Sequence, residues 1–210
     1  MELYLLRHGL SVANERGLVT GTKEDPLTEA GRRQAVQAAL TLQSFGPEKA
    51  GSAWRCYVSD WRRARESAVL ALPEREFSEF SEFFIDARLG ETDAGTAAAL
   101  PLEEFQQKYP DFWGRFDPEH AYPGGESHQQ LFTRALSWLS SVEAALPDEA
   151  RVLAVTHAGP ICCLLHHVCG VSMARFPAFL ATHSSLTKVA RGAGGVWRLV
   201  FFSLPPGARV

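Results

Sequence analysis

Four residues in this chain could act together on an anion: Arg7, His8, Arg63 and His157. Two guanidinium groups stay charged at any ordinary pH and present planar forks of N–H donors, the geometry that grips a phosphate dianion in bidentate fashion. Two imidazoles add a nucleophile or a proton carrier that works near neutrality. Brought into one crevice the cations would repel each other, so the grouping asks for an anion, and a phosphate dianion fits. A lone His beside a strand end is more often a satisfied core residue, but the coincidence of His157 with His8 and both arginines reverses that expectation. Each of the four follows an apolar run of strand length. Leu3-Tyr4-Leu5-Leu6 runs into Arg7-His8-Gly9, Trp54-Arg55-Cys56-Tyr57-Val58 into Ser59-Asp60 and Arg62-Arg63, and Arg151-Val152-Leu153-Ala154-Val155 into Thr156-His157-Ala158-Gly159. Runs of this kind predict buried strands of an α/β sheet, whose ligands sit beyond the carboxyl ends of the strands.

The elements that must hold these residues follow from the rest of the chain. Leu10 to Pro26 reads as a loop with turn-forming Gly17, Gly21 and Pro26. Thr28 caps a helix with Ala35, Val36, Ala39 and Leu42 on its inner face, ending before Gly46-Pro47. After the second strand, Ser59 or Asp60 caps a helix whose first turns carry Arg62, Arg63 and Arg65. Basic residues there oppose the helix dipole, so they need a reason; a solvated face suffices for Arg62 and Arg65. Glu76 to Ile85 reads as a short strand or loop, and Pro101 to Tyr109 as a short helix. A loop rich in aromatics, with Trp113, Phe116, His120 and Tyr122 between residues 112 and 122, either closes over a substrate or anchors itself. Ser127-His128-Gln129-Gln130 is a capping box for a helix with Leu131, Ala135, Leu136, Leu139 and Val142 inward. A helix from Ala158 to near Gly170 follows the third strand, and Ser185 to Ala190 and Val196 to Phe202 form an edge hairpin across Gly192, Gly194 and Gly195.

Arg7-His8-Gly9 after an N-terminal strand, with Asn14 five residues beyond Gly9, resembles the histidine phosphatase superfamily, which includes the cofactor-dependent phosphoglycerate mutases. Four more segments follow in the same order: Pro26-Leu27-Thr28-Glu29-Ala30-Gly31; Ser59-Asp60 with Arg63-Ala64; Arg88-Leu89-Gly90-Glu91; and Pro123-Gly124-Gly125-Glu126-Ser127 ahead of His157. The resemblance implies a three-layer α/β/α sandwich with a mostly parallel central sheet, one domain over residues 1–210. It implies a phosphatase of the histidine acid phosphatase type in which His8 takes the phosphoryl group, Arg7, Arg63 and His157 cradle its oxygens, and Glu91 is the proton donor. Substrate contacts are implied for Asn14, Gly21, Thr22 and Ala158. The chain departs from the family pattern at Thr96-Ala97-Ala98-Ala99, where an aromatic-acid-glycine run is usual, at Ala158, where glycine is usual, and at His183-Ser184-Ser185, where relatives tend to carry Asn-x-Ser. A substrate-facing role for His183 stays open.

Such a mechanism needs no metal and no cofactor. Cys163 with His166 or His167 lacks the paired spacing of a metal site and reads as a core face and its rim. The four cysteines, Cys56, Cys162, Cys163 and Cys169, do not form a disulfide framework. A net charge of −3 leaves no electrostatic footprint for nucleic acid or an acidic membrane surface. No apolar run is long enough to span a bilayer and no signal peptide opens the chain, so a cytoplasmic protein is expected. The expected partner is a small-molecule phosphomonoester, and a homodimer is left open. The interval between Arg63 and Glu91 is shorter than in the glycolytic mutases, which favours a phosphomonoester hydrolase. A phosphoglycerate mutase-type transfer and a non-catalytic phospholigand-binding member remain the alternatives.

Overall fold

The computed structural model describes residues 1–45, 54–72, 83–114, 116–192 and 194–209. Six strands form one mixed sheet: β1 (Glu2–Arg7), β2 (Trp54–Val58), β3 (Phe83–Ile85), β4 (Arg151–Thr156), β5 (Leu186–Arg191) and β6 (Trp197–Leu204), in the order β3-β2-β4-β1-β5-β6. The first four in that order pair in parallel, while β5 runs antiparallel to both β1 and β6. The expected hairpin is therefore present, with β6 alone at the edge. Leu3 and Leu5 of β1 point to one face and Tyr4 and Leu6 to the other, and all four are buried. This is why the run reads as continuously apolar.

Helices cover both faces. On one, α6 (His128–Ala145) and α7 (Ala158–Cys169) bring Leu131, Trp138, Leu139, Ile161 and Leu164 against Leu3, Leu5, Val152 and Ala154. On the other, α2 (Glu29–Gln43) and α3 (Arg62–Ala71) bring Ala38, Leu42, Ala64 and Ala68 against Tyr4, Leu6, Leu153 and Val155. Each fully buried leucine contributes roughly 1.5–3 kcal/mol over an exposed one. Short α1 (Val12–Glu15), α4 (Leu102–Lys108) and α5 (Pro110–Gly114) lie in the connections. A third cluster packs Phe105, Ala94, Ala97 and Tyr122 with Tyr109 and Phe112.

Local expectations fare unevenly. Thr28 accepts from Gly31 N–H at the head of α2, and Ser127 with Gln130 closes the capping box of α6. Val36 is exposed, however, and Ala38 takes its inward place, because α2 turns a different stripe to the sheet. Trp138 is fully buried on α6, although the inward positions read from the sequence omit it. Neither Ser59 nor Asp60 is the cap residue of α3: Trp61 holds that position without a side-chain bond, while the Ser59 hydroxyl accepts from Trp61 N–H at 3.2 Å and faces His157 Nε2. Phe83–Ile85 is a strand, and residues 76–82 and the helix stop at Gly46-Pro47 lie outside the described residues. No helix among the described residues is long and apolar enough to cross a membrane.

Candidate active site

The parallel register aligns the strand ends that matter. Arg7 of β1 pairs with Thr156 of β4, and Val58 of β2 with Val155. One residue further on, His8 N–H donates to the Thr156 carbonyl and Ser59 N–H to that of Val155. His8, Ser59 and His157 therefore leave neighbouring strands at one level, and the His8 and His157 rings meet edge-on with centroids 4.9 Å apart.

His8 is buried, and its protonation is fixed by its partners. Nδ1 lies 2.6 Å from the Gly9 carbonyl. A carbonyl oxygen only accepts, so Nδ1 carries the hydrogen and Nε2 presents its lone pair. Arg63 Nε donates to that Nε2 at 3.1 Å. Burial first, then Arg63 and Arg7, holds the imidazole well below its ordinary pKa, so the ring is neutral near pH 7.

Arg63, on the first turn of α3, is itself buried. Its remaining donors reach the backbone carbonyls of Thr20 at 2.9 Å and Thr22 at 3.2 Å, and its guanidinium lies 4.4 Å over the Trp61 ring. Burial lowers its pKa to about 10, opposed by Glu91 and Asp25, which leaves it a cation at neutrality. Arg7 donates through Nη1 to the Ala181 carbonyl at 2.6 Å and through Nη2 to His183 Nε2 at 2.9 Å. Its Nε is buried without a partner among the described residues.

His157 is buried between Ser59, whose hydroxyl sits 2.8 Å from Nε2, and the edge of Trp61. Burial, with Arg63 the next cause, keeps this imidazole neutral as well. Its Nδ1, like Arg7 Nε, is buried and unpartnered. Buried donors are normally satisfied, and those that are not mark unmet demand. Among the described residues the two unpartnered atoms here belong to Arg7, next in the chain to His8, and to His157, whose ring meets that of His8 edge-on.

Glu91 follows the 3₁₀ turn Ala87–Leu89. Its Oε1 accepts from Thr92 N–H at 2.9 Å and its Oε2 from Gly159 N–H at 3.4 Å. Arg134 of α6 holds the segment from behind, donating to the carbonyls of Arg88, Gly90 and Glu91, each at 2.8 Å, while pairing with Glu126 at 2.5 Å. The Thr156 hydroxyl adds a bond to the Leu89 carbonyl at 2.6 Å.

The remaining expected contacts fall differently. Gly21 and Thr22 shape the site from the backbone: the loop carrying them turns at Gly21 (φ 73°), and the Thr22 side chain is exposed. Ala158 lines the cavity beside Glu91. Asn14 is held by its capping box, with Oδ1 accepting from the Ser11 hydroxyl at 2.9 Å. That same oxygen lies 3.1 Å from His183 Nε2. The structure thus brings His183 into the site, delivered by Ser184 at a positive φ of 54°. The one signal for it in sequence is its departure from Asn-x-Ser. Arg134 gives no signal at all, being an ordinary-looking arginine on a helix.

Among the described residues no group of three His, Cys, Asp or Glu is placed to hold a metal ion. His166 is engaged by the Val171 carbonyl at 3.0 Å and by Ala178 N–H at 3.3 Å. The aromatic loop packs largely on itself, with Phe112 and Tyr122 centroids 4.5 Å apart, while Tyr122 also faces the cavity. The Trp113 side chain lies outside the described residues.

Comparison with known proteins gives a consistent result. The family model of the histidine phosphatase superfamily (branch 1) matches residues 3–204. Human 6-phosphofructo-2-kinase/fructose-2,6-bisphosphatase 1 is 30% identical over 197 residues, which are 90% of this chain and 38% of that protein. The chain thus spans well under half the length of that relative. The uncharacterized phosphatase PhoE of Bacillus subtilis (strain 168) is 30% identical over 172 residues, 79% of this chain and 76% of PhoE. The solved structure of a mycobacterial glucosyl-3-phosphoglycerate phosphatase complexed with VO3 superposes with a TM-score of 0.81 at 29% identity, covering 97% of this chain and 98% of that one.

Proposed function

Because this chain belongs to the histidine phosphatase superfamily, we propose that it is a metal-independent phosphomonoester hydrolase acting through a phosphohistidine on His8. The observation that supports this reading most directly is the fixed tautomer of His8: Nδ1–H on the Gly9 carbonyl leaves Nε2 as an unprotonated nucleophile among cationic and neutral donors. PhoE and the mycobacterial relative bear the name phosphatase, which agrees.

In the first half-reaction Nε2 attacks phosphorus, and the bond from phosphorus to the leaving oxygen breaks. Arg63 shifts its N–H from Nε2 to a phosphoryl oxygen as the N–P bond forms. Arg7 Nε and His157 Nδ1 are the other donors within the site, and each well-aimed donor is worth on the order of 10²–10³ in rate. Glu91 gives its proton to the departing alkoxide. The positive charge that develops on the phosphorylated ring is steadied by the Gly9 carbonyl. In the second half-reaction Glu91 takes a proton from water, the hydroxide attacks phosphorus, and the N–P bond breaks to free inorganic phosphate and neutral His8.

The test is release of inorganic phosphate from a panel of monoesters, in chelator, by the native protein and by His8→Ala. Release that survives chelator and falls at least about 10³-fold in the variant is expected for a nucleophile that cannot be bypassed. Full activity of His8→Ala would overturn the phosphohistidine route. Phosphoglycerate interconversion without net release would favour a mutase.

A further inference from the structure

A cavity of about 180 Å³ has Glu91 in its wall, and neither Arg7, His8 nor Arg63. Its position beside the proton donor places it where the departing alcohol would lie. Val19, Tyr122, Phe176 and Leu180 give it apolar walls, and His128, Cys162, Thr20 and Thr92 are among the rest of its lining. Among the described residues no lysine or arginine lines it. Arg175, next in the chain to Phe176, is exposed and is not part of this lining.

Three ionisable groups of the wall besides Glu91 are uncharged at neutral pH. Burial takes His128 down to about 4, pushes the Cys162 thiol up to about 11 and the Tyr122 phenol up to about 12. His128 is held by packing, its ring 4.5 Å from Phe176 and edge-on to Tyr122 at 5.6 Å. The wall from Phe176 to Leu180 is braced rather than free, because His166 bridges Ala178 N–H and the Val171 carbonyl. The apolar surface continues beyond the lining, with Leu180 65% exposed and Phe116, its ring 6.2 Å from that of Phe176, 39% exposed. The volume is below the roughly 300–1,000 Å³ of pockets that take drug-sized ligands, and so suits one ring or a short chain.

We propose that this cavity is the subsite for the leaving alcohol, and that it selects monoesters of uncharged alcohols with an apolar, ring-sized face against esters carrying a second phosphate or a carboxylate. The inference rests on the hydrolase reading above. A second anion placed here would meet no cation in the wall to receive it, whereas a flat apolar group would cover Phe176 and the neutral His128 ring.

Three esters of primary alcohols separate this from intrinsic reactivity: 2-phenylethyl phosphate, glycerol 3-phosphate and 3-phosphoglycerate. For the native protein kcat/KM should fall in that order, with the first exceeding the last by about 100-fold, the scale on which a pocket discriminates by shape and unpaired charge. Phe176→Ala should lower turnover of 2-phenylethyl phosphate about tenfold and that of glycerol 3-phosphate by clearly less, so that the ratio between the two shrinks. Leu180→Arg, at an exposed position, should raise turnover of 3-phosphoglycerate and narrow the native ratio about tenfold by supplying the missing cation. Equal or better turnover of 3-phosphoglycerate by the native protein would overturn this inference and leave the hydrolase reading standing. A native ratio that neither variant changes would overturn the position of the subsite. No release from any ester would overturn both readings together.

Discussion

At His183 one ring nitrogen faces two partners with opposite needs. Arg7 Nη2 can only donate, so at 2.9 Å it requires a bare Nε2, while Asn14 Oδ1 at 3.1 Å favours an N–H there. Burial and then Arg7 bring the pKa of His183 down to about 4, so the ring is neutral at pH 7 and has one nitrogen free to accept. On the proposed hydrolase reading, His183 is a positioning residue that would act on phosphate through the guanidinium it holds. We expect His183→Ala to weaken competitive inhibition by inorganic phosphate about tenfold, at the lower end for a charge-assisted hydrogen bond. His183→Asn should retain most of the native value, because its amide oxygen can still accept from Arg7. An unchanged inhibition constant in His183→Ala would sink this assignment. Sequence reasoning left the role open because His183 lies far along the chain from both its partners, and nothing local to residues 182–185 announces Arg7.

Two glycine contacts separate elements that serve the fold from those that serve the site. Gly31, in the first turn of α2, abuts the turn after β1 so closely that an added Cβ would lie 2.0 Å from the Leu10 carbonyl oxygen. Gly159, in the first turn of α7, faces the Glu91 carboxylate, where a Cβ would lie 2.2 Å from Oε1. Backbone cannot yield cheaply, but the end of a side chain can. Gly31→Ala should therefore lose about 1–3 kcal/mol of stability through overpacking, despite alanine's better helix propensity. Gly159→Ala should keep a near-native melting temperature and lose about 10- to 100-fold in kcat as the carboxylate is displaced. Comparable melting and turnover changes in both variants would contradict the distinction. Strands β1, β2 and β4 were legible because their runs are largely apolar, Arg55 of β2 excepted, and end in polar residues. The head of α3 was misread, since Trp61 holds the cap position while the Ser59 hydroxyl also faces His157, and no local pattern shows that.

Across the whole molecule, four imidazoles are held neutral by burial. His128 and His183 titrate near 4 when folded, against 6.5 in an ordinary setting, and His8 and His157 lie well below that value. Between those limits the unfolded chain binds more protons than the folded one, so acid favours unfolding. Stability present above pH 6.5 should be lost as pH falls from 6.5 towards 4, and the urea midpoint should drop steadily between pH 7 and pH 5. A midpoint that holds or rises over that interval would contradict the assignment. The sandwich and its strand-end cluster could be read from the chain, whereas the Thr20 and Thr22 carbonyls under Arg63 and the Arg134 clamp could not, because backbone acceptors leave no trace in side-chain types. The bond from Arg63 to His8 Nε2 has a consequence for how the protein lives among other reactive molecules. With its lone pair occupied and its ring sealed from solvent, His8 is a poor target for stray electrophiles and adventitious ions. Only a guest that draws the Arg63 N–H onto itself unlocks the nitrogen, so on the proposed chemistry the phosphate to be attacked is also the key that arms the attack.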